Sequence, residues 1–282
     1  MAAVAEQEAE ATGVPRAAAR TSLTHRPWSS AVFGVLGTLT ILVVLELLVR
    51  VGVFSSEDVP PVSDVLRVLG DEVRAGELWQ LVWDTTQQWA LGLGVAMCIG
   101  IPLGLAMGSN EYLARSLRPT IEFLRPVPGV ALIPVVILVF GLGMQGTTFL
   151  IAFGSVWPLL IQSMYGVREI DPVTRDMARS FGFNWLERVR FVVVPSALAF
   201  IATGLRVASS VALIIAVTAE LVIGVPGLGK SIGLAQSSGA VPQMYALVLA
   251  TGLLGVVIHL VFRIPERRLL KWHPSQRVDT EL

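Results

Sequence analysis

The stretch DMARSFGFNWLERVRFVVVP, Asp176 to Pro195, lies between two long apolar runs and resembles neither of them. It carries Asp176, Glu187, three arginines, a single Gly182 and a closing proline. Its local signals are those of two short helices joined by a turn. Just upstream, Asp171 and Pro172 supply an N-cap acceptor and a first-turn proline. Gly182 suits the left-handed residue that ends a helix, so the first helix is expected to stop near Phe181. Asn184 followed by Glu187 has the spacing of a capping box, and Pro195 is expected to close the second helix against the next apolar run. Val173, Met177 and Phe181 recur every four residues and form one apolar stripe. Arginines resting on lipid headgroups would account for the charge. They would not account for the rest of the pattern.

The surroundings are those of a membrane protein. Of 282 residues, 54% are hydrophobic and only 15% charged, with a mean hydropathy of +0.69, too little charge to cover a soluble domain of this size. Several segments approach or exceed the roughly 20 apolar residues that cross a bilayer. The expectation is an all-α polytopic protein with about six transmembrane helices, near 30–50, 85–107, 127–141, 146–166, 196–222 and 243–264. The third is short and interrupted by Pro128 and Pro134. With a cytoplasmic N-terminus, 16 basic residues fall on the inner side and four on the outer, while Arg206 is intramembrane. That bias predicts a multi-pass protein of the cell membrane with both termini and the hairpin in the cytoplasm. Residues 1–28 lack the apolar centre of a signal peptide and read as a disordered tail; 29–266 is the transmembrane domain, with its hairpin at 169–195, and 267–282 a second tail.

Other classes are excluded by what the chain contains. Zero net charge suggests no nucleic-acid partner, and His25, His259 and His273 have no metal-ligand spacing. Cys98 is the only cysteine. GVPGLGKS, Gly224 to Ser231, fits the phosphate-cradling pattern G-x-x-x-x-G-K-[ST]. The charge count places it on the outer side, however, and no strand–helix alternation surrounds it. It is read as a glycine-rich external loop, with Lys230 a surface charge. SDVLRVLGDEVRAGELW in the first outer loop suggests an amphipathic surface helix, and Trp79, Trp83 and Trp89 an interfacial belt. Gly100, Gly104 and Gly108 make a small-residue face for close helix packing, within one chain or between two copies.

Ionisable residues within the bilayer are functional suspects. Arg206 lies about 16 Å along a helix from Pro195, near mid-membrane, with Thr203, Ser209 and Ser210 close in sequence. Contact with an anionic solute, gating, and a structural pairing all stay open for it. Glu220, about 37 Å from Pro195, is placed at the outer mouth, as a gate or partner contact. Glu46 is expected to pair locally, and Gln87, Gln88, Gln162 and Ser163 to serve packing.

The opening segment resembles the cytoplasmic coupling motif of ABC-importer permeases, written EAA, three residues, G, nine residues, I-x-L-P. Asp176-Met177-Ala178 stands for EAA, Gly182 keeps the spacing, and Val192-Val193-Val194-Pro195 stands for I-x-L-P. From about Pro60 onward the chain is similar to the nitrate/sulfonate/taurine-type subfamily. RPVPGVALIPVVILVFGLG and ELVIGVPGLGKSIG carry the likeness further. The resemblance implies the type I importer permease fold, working as a homodimer with two ATP-binding subunits and an external solute-binding protein, in membrane lipid. It implies no catalytic residues and no cofactor in this chain, ATP and magnesium being bound by the partner ATPase. Asp176, Met177, Ala178, Phe181, Gly182 and Pro195 would couple to that ATPase; Arg206, Ser209, Ser210 and Glu220 are the candidates for path or gate. A small anion is the expected solute, an aromatic carboxylate or a pyrimidine-type vitamin precursor remaining open. An ion-coupled secondary carrier is the alternative, although no internal repeat supports it.

Overall fold

The computed structural model describes residues 27–55 and 57–269, with side chains from 32 to 263. The expected disorder of the N-terminal tail and most of the C-terminal tail therefore fall outside the described residues. The chain divides into two compact units, Met1–Phe54 and Ser55–Leu282. In the first, α1 (Pro27–Arg50) is apolar almost throughout, and from Val32 to Arg50 it is long enough to cross a bilayer. Its one acid, Glu46, pairs with Arg50 one turn away at 2.7 Å.

The second unit begins with α2 (Val62–Ala75), the amphipathic helix foreseen from sequence. It then runs through α3 (Glu77–Ser109), α4 (Glu111–Leu124), a 3₁₀ turn (Gly129–Leu132) and α5 (Ile133–Phe140). Next come α6 (Met144–Arg168), α7 (Pro172–Ser180), α8 (Trp185–Arg188) and a π-helical turn (Val189–Val193). The unit ends with α9 (Val194–Ile223), α10 (Leu228–Ser237) and α11 (Val241–Leu269). Four helical stretches here are long and apolar enough to span: α3, α6, the run from Trp185 to Ile223, and α11.

The third expected span is not one helix. It is the pair α4 and the 129–140 segment, bent by 79°. Pro126 and Pro128 account for the break, because neither can donate to the helix ladder and each ring crowds the turn before it. The eight residues of α5 rise only about 12 Å, too little to cross alone. Asn110 starts α4 by accepting hydrogen bonds from the Tyr112 and Leu113 amides at 3.0 and 3.2 Å.

The core is built around α6, which packs between α3 and α9. Small residues permit the approach on both sides. A methyl group at Gly104 would meet the Leu160 carbonyl and the Ser163 Cβ, and one at Gly108 would lie 2.6 Å from the Val167 Cβ. The Gly100–Gly104–Gly108 face is thus used within the chain, against α6. Leu93, Leu150, Ile151, Leu159, Ala212 and Ala216 fill the apolar centre. Trp89 departs from the expected interfacial belt. Its indole donates to the Ser209 carbonyl at 3.0 Å and its ring meets Phe262 edge-on, tying α3 to α9 and α11; Trp79 and Trp83 do face outward.

Candidate functional site

At one end of the bundle, the α7–α8 hairpin takes the form its residues dictate. Asp171 caps α7 by accepting from the Val173 amide at 2.9 Å. Gly182 has φ +74°, the left-handed conformation that a side chain makes costly. Asn184 and Glu187 close the capping box at 2.7 and 2.9 Å. Pro195 differs from expectation. It does not end the second helix; the chain passes through the π turn straight into α9, with Pro195 in that helix's first turn. The widened turn accommodates a ring with no N–H to give and no room for the carbonyl behind it. The second hairpin helix and α9 are therefore one continuous helical run.

Of the residues expected to couple, Met177 and Phe181 stand out from the surface, Phe181 with 77% of its area exposed. Phe183, Trp185 and Leu186 extend that patch, and Arg179 and Asp176 border it, 3.6 Å apart. Ala178 points the other way and is buried. The Arg175 guanidinium donates to the Val167 carbonyl, anchoring α7 to the end of α6. An exposed aromatic and aliphatic patch rimmed by charge is a surface made for a protein partner.

At the other end lies the carboxylate of Glu220, which has no exposed surface. Thr85 donates to one oxygen at 2.9 Å and Gln88 to the other at 3.1 Å. The Gly229 amide, in the first turn of α10, donates to Oε2 at 2.9 Å. Thr85 in turn accepts from the Leu228 amide at 2.9 Å, and Gln88 reaches the Pro226 carbonyl at 2.8 Å. This arrangement explains the phosphate-loop-like sequence. A glycine-rich loop does lead into a helix N-terminus, and that terminus does hold an acidic group. The group is the carboxyl of the protein's own Glu220. A methyl group at Gly227 would run into that carboxylate, and one at Gly229 into the Val217 carbonyl. The cradle is filled, with no room for phosphate. The expected loop is therefore a helix from Leu228 onward, held by the burial of Leu228 and Ala235 against Leu78 and Leu247. Glu220 is at the expected end but offers no surface to a partner. Lys230 is half-buried.

Ser209 and Ser210 turn their hydroxyls back onto the Arg206 carbonyl, at 2.8 and 3.3 Å. Ser209 is buried and Ser210 exposed, while Arg206 is half-buried. Thr85 and Gln88 were not recognised from sequence as partners of Glu220. Their signal is two polar residues three apart on one helix face, within the polar run Asp84 to Gln88 that precedes the apolar part of the helix.

Residues 100–271 match the family described as binding-protein-dependent transport system inner membrane component. The chain belongs to that family. It is 28% identical over 242 residues to a putative aliphatic sulfonates transport permease protein of Bacillus subtilis, covering 86% of this chain and 88% of that one. It is 32% identical to the taurine transport system permease protein of Escherichia coli, over 70% of this chain and 71% of that one. A bicarbonate transport system permease protein of Synechococcus elongatus is also 32% identical, over 65% and 66%. The chain is thus a multi-pass inner-membrane permease of the nitrate/sulfonate/taurine type. The inward-facing MetNI methionine ABC transporter shares its fold, with a TM-score of 0.60 at 18% identity over 69% of this chain and 98% of that one. The fold is that of a type I importer permease.

Proposed function

We propose that this permease forms, as a homodimer, the membrane path of an ATP-driven importer for a small oxyanion of the sulfonate, nitrate or bicarbonate kind. The curated relatives named for such solutes support that class. The basic-residue bias supports a cytoplasmic hairpin and cytoplasmic termini. An external binding protein would deliver the solute, and two cytoplasmic subunits would bind ATP and magnesium. This chain contributes no catalytic group to hydrolysis.

The observation that carries the reading is the exposed patch on a hairpin whose second helix runs on into α9. A displacement of Met177 and Phe181 by a closing ATPase would pass along α9, which packs on α6 and reaches Glu220 at the far end. In this reading Asp176, Met177, Ala178, Phe181, Gly182 and Pro195 couple, and Glu220 fixes the outer end of the moving helix. Arg206, Ser209 and Ser210 lie between those ends. An ion-coupled carrier would leave the hairpin patch without a role.

Disulfide trapping tests the reading. In a Cys98→Ser background, Phe181→Cys is paired with single cysteines on the ATP-binding partner, and Gln236→Cys serves as the control at the opposite end. Cross-linking from position 181 and none from 236 is expected. Cross-linking from neither, or ATP-independent uptake, overturns it.

A further inference from the structure

A second feature lies at mid-depth, where the broken third span meets α6 and α9. A cavity of about 330 Å³ is lined by Arg125, Trp157 and Gln162, with Gly154, Pro158 and Val207 completing its walls. Trp157 is 13 residues from the start of α6 and 11 from its end, so the cavity sits about halfway along the span. Its polar groups are all hydrogen-bond donors or amides, and no carboxylate lines it.

Arg125 stands apart from the neighbouring arginines. It shares a second cavity with Glu111, Glu122 and the arginines Arg115, Arg118 and Arg168. Those three are paired, Arg115 and Arg168 with Glu111 at 3.1 and 3.3 Å, and Arg118 with Glu122 at 2.7 Å. Arg125 has no carboxylate within pairing distance among the described residues, and it lines both cavities. The Trp157 indole N–H is buried with no acceptor. A buried donor left without a partner is costly and calls for an explanation. Arg125 itself is exposed, at the break between α4 and the 129–140 segment, and an ionisable group along the membrane-crossing part of a chain is a functional suspect.

We propose that Arg125, Trp157 and Gln162 form an oxyanion-binding site on the solute's route, a step that rests on the importer reading above. The guanidinium supplies charge and a planar fork of N–H donors suited to two oxygens of one anion. The indole N–H, covered in this structure, would supply a further donor once the ring turns toward the cavity, and the Gln162 amide another. Gly154, Pro158 and Val207 leave an apolar side for a short alkyl group, so sulfonates fit as well as nitrate or bicarbonate. Val207 places α9 in the wall, so movement of the hairpin-linked helix would reshape the site.

The test uses the full-length permease in lipid nanodiscs, labelled with 5-fluorotryptophan, the Trp157 fluorine resonance being assigned by Trp157→Phe. Methanesulfonate is the probe and dimethyl sulfone, its uncharged near-isostere, the control. Methanesulfonate should shift the Trp157 resonance saturably, and dimethyl sulfone should not. Arg125→Gln should weaken the apparent affinity by about tenfold or more. Arg125→Lys should recover part of it, and Arg115→Gln, whose charge is balanced by Glu111, should stay within about twofold. The other tryptophan resonances report whether each variant is folded. A shift that survives Arg125→Gln, or that dimethyl sulfone reproduces, overturns the site. ATP-driven uptake of radiolabelled taurine or bicarbonate by the reconstituted importer separates the two levels. Uptake by the parent protein, with no response at Trp157 and normal uptake in Arg125→Gln, sinks the site and leaves the importer reading intact. A specific Trp157 response with no ATP-driven uptake supports the site and sinks the importer reading.

Discussion

Glu220 ties α9 to α3 and α10, and the consequence of removing its partners can be worked from the distances. Thr85→Val keeps the side-chain shape but removes the hydroxyl that accepts from the Leu228 amide and donates to Glu220. The Leu228 N–H is then buried without an acceptor, at a cost of about 2 kcal/mol. Because Leu228 begins α10, this cost falls on the opening of that helix. Such a change corresponds to roughly 30-fold faster amide exchange where α10 meets the loop, if exchange proceeds through local opening. Glu220→Ala goes further. It leaves the Gly229 amide and the Thr85 hydroxyl without their acceptor, and Gln88 with only the Pro226 and Asp84 carbonyls. About 3 kcal/mol or more is expected, and exchange faster by over about 100-fold. The assay is hydrogen–deuterium exchange with mass spectrometry on peptides covering residues 224–237, in the full-length permease. Peptides from the α7–α8 hairpin, at the other end of the bundle, should be unchanged. Unaltered exchange at 224–237 in Glu220→Ala would refute the cradle as the anchor of α10.

Three further outcomes follow from single residues. Gly182→Val forces a β-branched side chain into φ +74°, at about 1–2 kcal/mol, and should weaken co-purification of the ATP-binding subunit; unchanged association would count against the hairpin. Gly104→Val drives a side chain into the Leu160 carbonyl and Ser163, and should lower thermal stability by about 1–3 kcal/mol, with a parent-like melting curve the contrary result. Lys230→Ala should leave uptake intact, and equilibrium dialysis should find no ATP binding by the isolated permease. Binding lost on that substitution would restore the phosphate-loop reading.

The hairpin was legible because its signals are local. A cap, a turn glycine and a proline act on neighbours within four residues, so Asp171, Gly182, Asn184 and Glu187 do what their spacing says. Pro195 shows the limit of local reading. Whether a proline ends a helix or is absorbed by a wider turn depends on what the next segment packs against. The phosphate-loop pattern was read correctly as misleading, but the reason for the glycines was not visible. They make room for a carboxylate, and the proof lies in contacts to Thr85 and Gln88, 135 and 132 residues away in sequence.

Composition and spacing alone therefore determined a helical membrane protein, the basic bias across its spans, and a capped hairpin between two of them. Those properties follow from hydropathy averaged over about 20 residues and from interactions within one helical turn. Tertiary structure alone decided that the Gly100–Gly108 face packs on α6, that Trp89 turns inward to Ser209, and that Glu220 fills a cradle made by α3 and α10. It also brought the exposed Arg125 to a cavity shared with Trp157 and Gln162 of α6, with no carboxylate within pairing distance among the described residues, while the nearby arginines found theirs. Helical periodicity tells which residues share a face. It does not tell which other helix, a hundred residues away, that face will meet.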